Sequence, residues 1–207
     1  MELLERDGID ALTVRALARR LGVSHAAPGH HFPDRRALLA AVAAEGFRRF
    51  RAALEDAAGA ASSARERMSR IGFAYVRFAL DHPGTFRVMF GRELADCATA
   101  PAELQEASGA AYAVLARTAS ENADSPRGAE LRAFAGWALV HGAALLYLDG
   151  ALRGGVPAGR DARAAFEKLL GEVLQVPIEG KRAGARPGMA ASGERHGKDA
   201  RRARAKR

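Results

Sequence analysis

Apolar residues recur at spacings of three and four along most of this chain, and no useful run alternates with period two. That pattern predicts amphipathic helices and argues against half-buried strands. Leu3 and Leu4 belong to the end of a helix that stops at Gly8. Over Thr13–Leu21 a short helix is predicted, with Thr13 as its N-cap and Leu17, Ala18 and Leu21 on one face. Gly22 sits where the chain must turn sharply, with φ above zero. Val23 is placed to plug the angle, and Ser24 caps a second short helix, Ser24–His31. A helix opening at Pro33 or Asp34 carries Ala37, Leu38, Ala41, Val42 and Phe47 toward Leu54. After a break at Gly59–Ser63, a helix runs through Met68, Ile71, Tyr75 and Phe78 to a stop at Asp81–Gly84. Phe86, Met89 and Phe90 mark a short helix. Pro101 starts a long one through Leu104, Ala111 and Leu115. Asn122–Gly128 reads as polar loop, Glu130–Leu152 as a strongly apolar helix, Gly154–Gly159 as a break and Asp161–Leu174 as the last helix. The chain is therefore expected to be all-α: an N-terminal helix-turn-helix head over 1–47, a larger helical bundle for ligand binding and dimerisation over 48–176, and a tail over 177–207.

The helix, turn and capped second helix at Thr13–Ser24 are the mechanical content of a helix-turn-helix, which sets a helix into the major groove of DNA. Charge sharpens this. Of the 32 Lys and Arg and 24 acids, ten and three lie in 177–207, leaving 22 and 21 in the rest of the chain. The body is nearly neutral and the basicity belongs to the tail. Rich in Gly, Ala and Arg, the tail is expected to be disordered, and reads equally as a non-specific phosphate contact or as a solvated extension. The single cysteine, Cys97, excludes an intrachain disulfide framework and fits a reducing cytoplasm. No uninterrupted apolar run approaches the roughly 20 residues that cross a bilayer, so no membrane partner is expected.

Thr13-Val14-Arg15-Ala16-Leu17-Ala18-Arg19-Arg20-Leu21-Gly22-Val23-Ser24, followed by His31-Phe32 and Asp34-Arg35-Arg36-Ala37-Leu38-Leu39, resembles the TetR-type transcriptional regulators over residues 1–47. Trp137-Ala138-Leu139-Val140-His141-Gly142 is similar to the signature of that family's WHG-type C-terminal domain, as is His82-Pro83 with Phe86, Met89 and Phe90. The resemblance implies a homodimeric, cytoplasmic protein that binds double-stranded DNA, usually as a repressor, with a small ligand in the C-terminal domain moving the heads apart. Carried onto this sequence, Thr13 caps its helix and meets phosphate, and Arg15 lies near the DNA backbone. Ser24, His25 and Ala26 open the recognition helix, with His30 and His31 at its end. Arg35 stands where the family commonly has a phosphate-reaching Lys. Three departures stand out. Gly29 replaces an aromatic residue, most often Tyr. The recognition helix has no Arg, Lys, Asn or Gln to read bases bidentately. Met1 falls inside the first helix, which points to a natural start upstream or a shortened helix.

The candidate ligand-binding residues are Phe73, Tyr75, Phe86, Met89, Phe90, Tyr112, Trp137 and His141, an aromatic-rich group that serves equally as ordinary helical core. If they form a pocket it takes a small apolar or aromatic effector, with Tyr75, Tyr112, His141 and Arg77 as polar anchors. Trp137 and His141 share a helix face, and small residues beside them (Gly136, Gly142, Ala143, Ala144) admit a close partner helix. This helix and Asp161–Leu174, with Leu169, Leu170, Val173 and Leu174 as apolar seam, are expected to form the dimer bundle. No metal site or cofactor is expected: adjacent His30 and His31 diverge by about 100° on a helix. Neither a phosphate loop nor an ordered nucleophile motif is present, so no enzyme is expected. The alternative to a DNA-binding regulator is a helical ligand-binding or interaction protein with a degenerate head.

Overall fold

A computed structural model describes residues 1–24, 31–94, 100–152 and 161–175, and these are helical without strands. In chain order they form α1 (Glu2–Asp7), a 3-10 turn (Ile9–Ala11), α2 (Val14–Leu21), α3 (Arg35–Gly59), α4 (Ala64–Asp81), α5 (Pro83–Met89), a second 3-10 turn (Arg92–Leu94), α6 (Ala102–Glu121), α7 (Pro126–Leu148) and α8 (Ala162–Gln175). The expected second helix of the head, the break at Gly154–Gly159 and the tail lie outside the described residues, apart from Ser24 and His31 at the ends of that helix.

Capping chemistry explains most boundaries. The Thr13 hydroxyl accepts the Ala16 N–H at 3.1 Å. At the other end of α2, Gly22 adopts φ 66°. Its N–H donates to the Arg19 carbonyl and that of Val23 to the Ala18 carbonyl, satisfying two terminal carbonyls. Asp34 accepts from Ala37 N–H at 2.7 Å to open α3. Ser63 opens α4 by accepting the Glu66 N–H, and the Glu66 carboxylate reaches back to the Ser62 N–H at 2.8 Å. Those bonds from Ser62, with Arg70 next, hold the Glu66 carboxyl down at about 2.

Two boundaries differ from the sequence reading. Residues 126–128 are helix, not loop: Ser125 caps α7, accepting the Gly128 N–H at 3.1 Å, and Pro126 supplies the preset φ of a first turn. The same helix ends at Leu148 rather than 152, because Gly150 at φ 65° closes it, with Ala151 N–H bonded to the Leu146 carbonyl. Position 47, where the head was expected to end, falls inside the continuous helix α3.

α3 is the central mast. It packs on α4, α5 and α6, while α7 lies across α4 and α6. Small residues make these approaches possible: Ala40, Ala43, Ala44 and Gly46 are all buried on α3. A Cβ at Gly46 would stand 2.8 Å from Met89 Sδ and 2.8 Å from Thr85 Cγ2, so this is where α5 beds into α3. One apolar core runs from Leu4 and Leu12 in the head, through Leu39, Phe50, Val76 and Phe86, to Phe166 and Leu170 on α8. Ala18 is fully buried, but Leu21 is 62% and Val23 44% exposed, so Val23 does not plug an angle among the described residues.

Gly46→Ala is expected to destabilise the protein by about 1–3 kcal/mol through overpacking. Gly109→Ala, where an added Cβ meets nothing within 4 Å in the interior of α6, is expected to stabilise it by about 0.5–1 kcal/mol. Urea unfolding of the two variants tests both signs.

Candidate functional site

The head presents its charges unevenly. Arg15 and Arg19, four apart on α2, are exposed, and one face of a helix therefore carries both. Arg20 is held to Glu2 at 2.7 Å, joining α2 to α1. Thr13 is half-buried at its cap, and Ser24 is exposed just beyond the turn. His31 is exposed, whereas its neighbour Phe32 packs against the core. Arg35 is turned inward: it pairs with Glu93 and donates to the Ile9 carbonyl at 2.9 Å. His25, Ala26 and His30 lie outside the described residues.

In the bundle, six of the eight candidate ligand residues meet in or on one aromatic cluster. Phe86 is fully buried, with ring centroids 4.8 Å from Phe90, 5.6 Å from His141 and 5.8 Å from Tyr75. Phe90 is also 4.9 Å from His141. Trp137 and Tyr112 continue the cluster outward, 6.3 Å apart, and Trp137 is 38% and Tyr112 49% exposed. Within this apolar setting runs a polar chain. Trp137 Nε1–H donates to the Tyr75 hydroxyl at 3.3 Å, and that oxygen lies 2.8 Å from His141 Nδ1. With the indole as donor, the remaining arrangement is Tyr75 O–H donating to an unprotonated Nδ1, which places the His141 proton on Nε2. Burial supports it from both sides, pushing the Tyr75 pKa far up and the His141 pKa down, so both are neutral at pH 7.

Met89 and Phe73 sit apart from this chain. Met89 lies under Gly46, against α3. Phe73 faces α8, its Cζ 3.1 Å from where a Gly171 Cβ would be. Two positions along α4 is a rotation of about 200° from Phe73 to Tyr75, so the two rings cannot share a face. The sequence reading missed Phe50, whose ring packs 5.0 Å from Tyr75 and 5.1 Å from Phe78. It also missed Glu5. The Glu5 carboxylate accepts the Gly84 N–H at 2.8 Å, the Thr85 N–H at 2.9 Å and the Thr85 hydroxyl at 2.6 Å. Nothing local signals a contact 80 residues away in the chain. Among the described residues, no group of three or more His, Cys, Asp or Glu is placed to hold a metal ion.

α7 is unusual for a helix of a packed bundle. Its 18-residue apolar window has a mean hydropathy of 1.4, yet only 17% of it is buried. By length and composition α7 suffices to cross a bilayer, which corrects the expectation that no stretch comes near that length. Leu131, Phe134, Trp137 and Leu146 are exposed along it, and Leu169 and Val173 along α8. α8 itself is tied down by Arg163 to Asp81 at 2.7 Å and by Phe166 stacked on Tyr147 at 4.7 Å.

Comparison with known proteins agrees with this architecture. Residues 1–42 match the family described as bacterial regulatory proteins, tetR family, and residues 68–173 match the tetracyclin repressor-like C-terminal domain. A protein of unknown function from Rhodococcus sp. RHA1 is 37% identical, with a TM-score of 0.67 over 84% of this chain and 88% of that one. A bacterial regulatory protein in the tetR family from Rhodococcus RHA1 shares the fold at 20% identity, with a TM-score of 0.55 over 84% of this chain and 90% of that one. No curated protein matches the chain. With a family domain at each end and a head-and-bundle fold between them, the chain belongs to the TetR family of DNA-binding transcriptional regulators.

Proposed function

We propose that this regulator binds a pseudo-palindromic operator as a homodimer and releases it on binding a small apolar or aromatic effector, which makes it a repressor acting in the cytoplasm. The observation that carries the effector reading is the Trp137–Tyr75–His141 chain, a short run of polar atoms inside an aromatic cluster that reaches the surface through Trp137. A planar ligand sliding between these rings would exchange ring–ring contacts for its own, and the Tyr75 hydroxyl or His141 would orient it. Second copies explain α7. A large exposed apolar stripe marks an interaction surface. Its small residues, Gly142 and Ala143 among them, let an identical helix approach about a two-fold axis. Two heads so joined would meet successive major grooves about 34–36 Å apart. Thr13, Ser24, His25, Ala26, His30 and His31 are the proposed DNA contacts, with Arg15 and Arg19 on the backbone.

Three measurements test the reading. Fluorescence anisotropy on DNA from upstream of the coding sequence, at several salt concentrations, is expected to show specific binding. Arg15→Ala should weaken it and flatten the slope of log K against log salt by about 0.9. Failure to bind any fragment above the non-specific level at low salt would favour the degenerate-head alternative. Sedimentation should give a dimer that Phe134→Glu converts to monomer by burying an unpaired charge; a dimer unchanged by it places the interface elsewhere.

Trp137 is the only tryptophan, so its fluorescence reports the cluster directly. A planar aromatic probe is expected to quench it, and Tyr75→Phe to weaken binding by about fivefold for one lost hydrogen bond. Because the folded His141 pKa lies below its ordinary 6.5, the folded state resists protonation. The stability this ring contributes should hold above pH 6.5 and fall as pH drops below it. His141→Phe should remove that dependence from thermal melts.

A further inference from the structure

α5 is held to the head at both ends. At its start, the Glu5 carboxylate of α1 takes three hydrogen bonds, two from the Gly84 and Thr85 amides and one from the Thr85 hydroxyl. The fit is close: a Cβ on Gly84 would stand 2.7 Å from the Leu4 carbonyl oxygen, and Thr85 is fully buried. Just past its end, Glu93 in the second 3-10 turn pairs with Arg35, which also holds the Ile9 carbonyl beside α2. Between these two points α5 contributes Phe86, and the residue after it is Phe90. Both rings pack on Tyr75 and His141. Gly46 leaves no slack on the α3 side.

We propose that Glu5 and Glu93 form a double carboxylate latch through which α5 transmits rearrangement of the aromatic cluster to the DNA-binding head. This rests on the effector reading above and adds its positioning residues. The physical ground is that α5 cannot follow the cluster without carrying or breaking one of its two anchors. The two anchors differ in kind. The Glu5 bonds are charge-assisted and partly buried, and geometry fixes them. The Glu93–Arg35 pair is 47% and 35% exposed at its side chains, so it is weak and breaks first. Rearrangement would thus free Arg35 and the start of α3 while α1 stays clasped.

Hydrogen exchange of the full chain, read by mass spectrometry over residues 2–21 and over α6, tests the latch without any ligand. Glu5→Gln is expected to speed exchange of α1 by about tenfold and to leave α6 unchanged. Tyr75→Phe, which disturbs only the cluster, should speed exchange in residues 2–21 of the otherwise unaltered protein. In the Glu5→Gln/Glu93→Gln background it should no longer do so, while still loosening α7. Glu93→Gln alone, a surface change, keeps the test valid should the double variant unfold: it is expected to halve or more the Tyr75→Phe effect. Thr85→Ser, which retains the hydroxyl and the amides, should behave as the parent. An effect of Tyr75→Phe on the head that is absent, or equal in all backgrounds, overturns the latch. Duplex binding is measured separately. Coupled exchange without duplex binding removes the regulatory reading and keeps the latch; duplex binding with merely additive exchange removes the latch alone.

Discussion

The seating of α5 against α3 at Gly46 is the constraint on which the rest of the molecule depends. With no Cβ at that position, Thr85 and Met89 press directly on the α3 backbone. That contact sets the height of Phe86 and Phe90 and therefore where a ring from α4 and a ring from α7 can meet them. It also fixes the N-terminus of α5 beneath α1. Interiors are close-packed, so such a joint cannot deform gradually; it either holds its register or moves as a unit. A seven-residue helix with little intrinsic stability is thereby made one of the best-determined parts of the fold.

Much of this was legible in the sequence because local chemistry carried it. Thr13, Asp34, Ser63 and Ser125 are capping residues and every one caps a helix. Gly22 and Gly150 close helices at positive φ. Ser125–Pro126 held the same kind of signal, and the loop expected over 122–128 came from weighing polarity above the cap-and-proline pair. The candidate ligand residues were legible as a set, since aromatics are scarce and cluster in the second half of the chain. Which of them meet was legible only in part: helical phase separates Phe73 from Tyr75, but Phe50 and Met89 depend on how α3 and α5 cross.

What stayed hidden was long-range and polar. Arg35 resembles a phosphate contact by position, yet the structure gives it an acid and a carbonyl from two other elements. Glu5 looks like a solvated acid in the first turn of a short helix, a place favoured by the helix dipole alone. Only the fold brings it to the amides of Gly84 and Thr85. A carboxylate's partner 80 residues away leaves no periodicity behind.

The bare flank of α7 has a thermodynamic consequence of its own. A helix this apolar and this little buried derives part of its stability from whatever covers it. Where the cover is another copy of the chain, mass action links folding to abundance: apparent stability rises with total protein, and melting temperature shifts with dilution. The number of molecules present then becomes a term in the stability of each one.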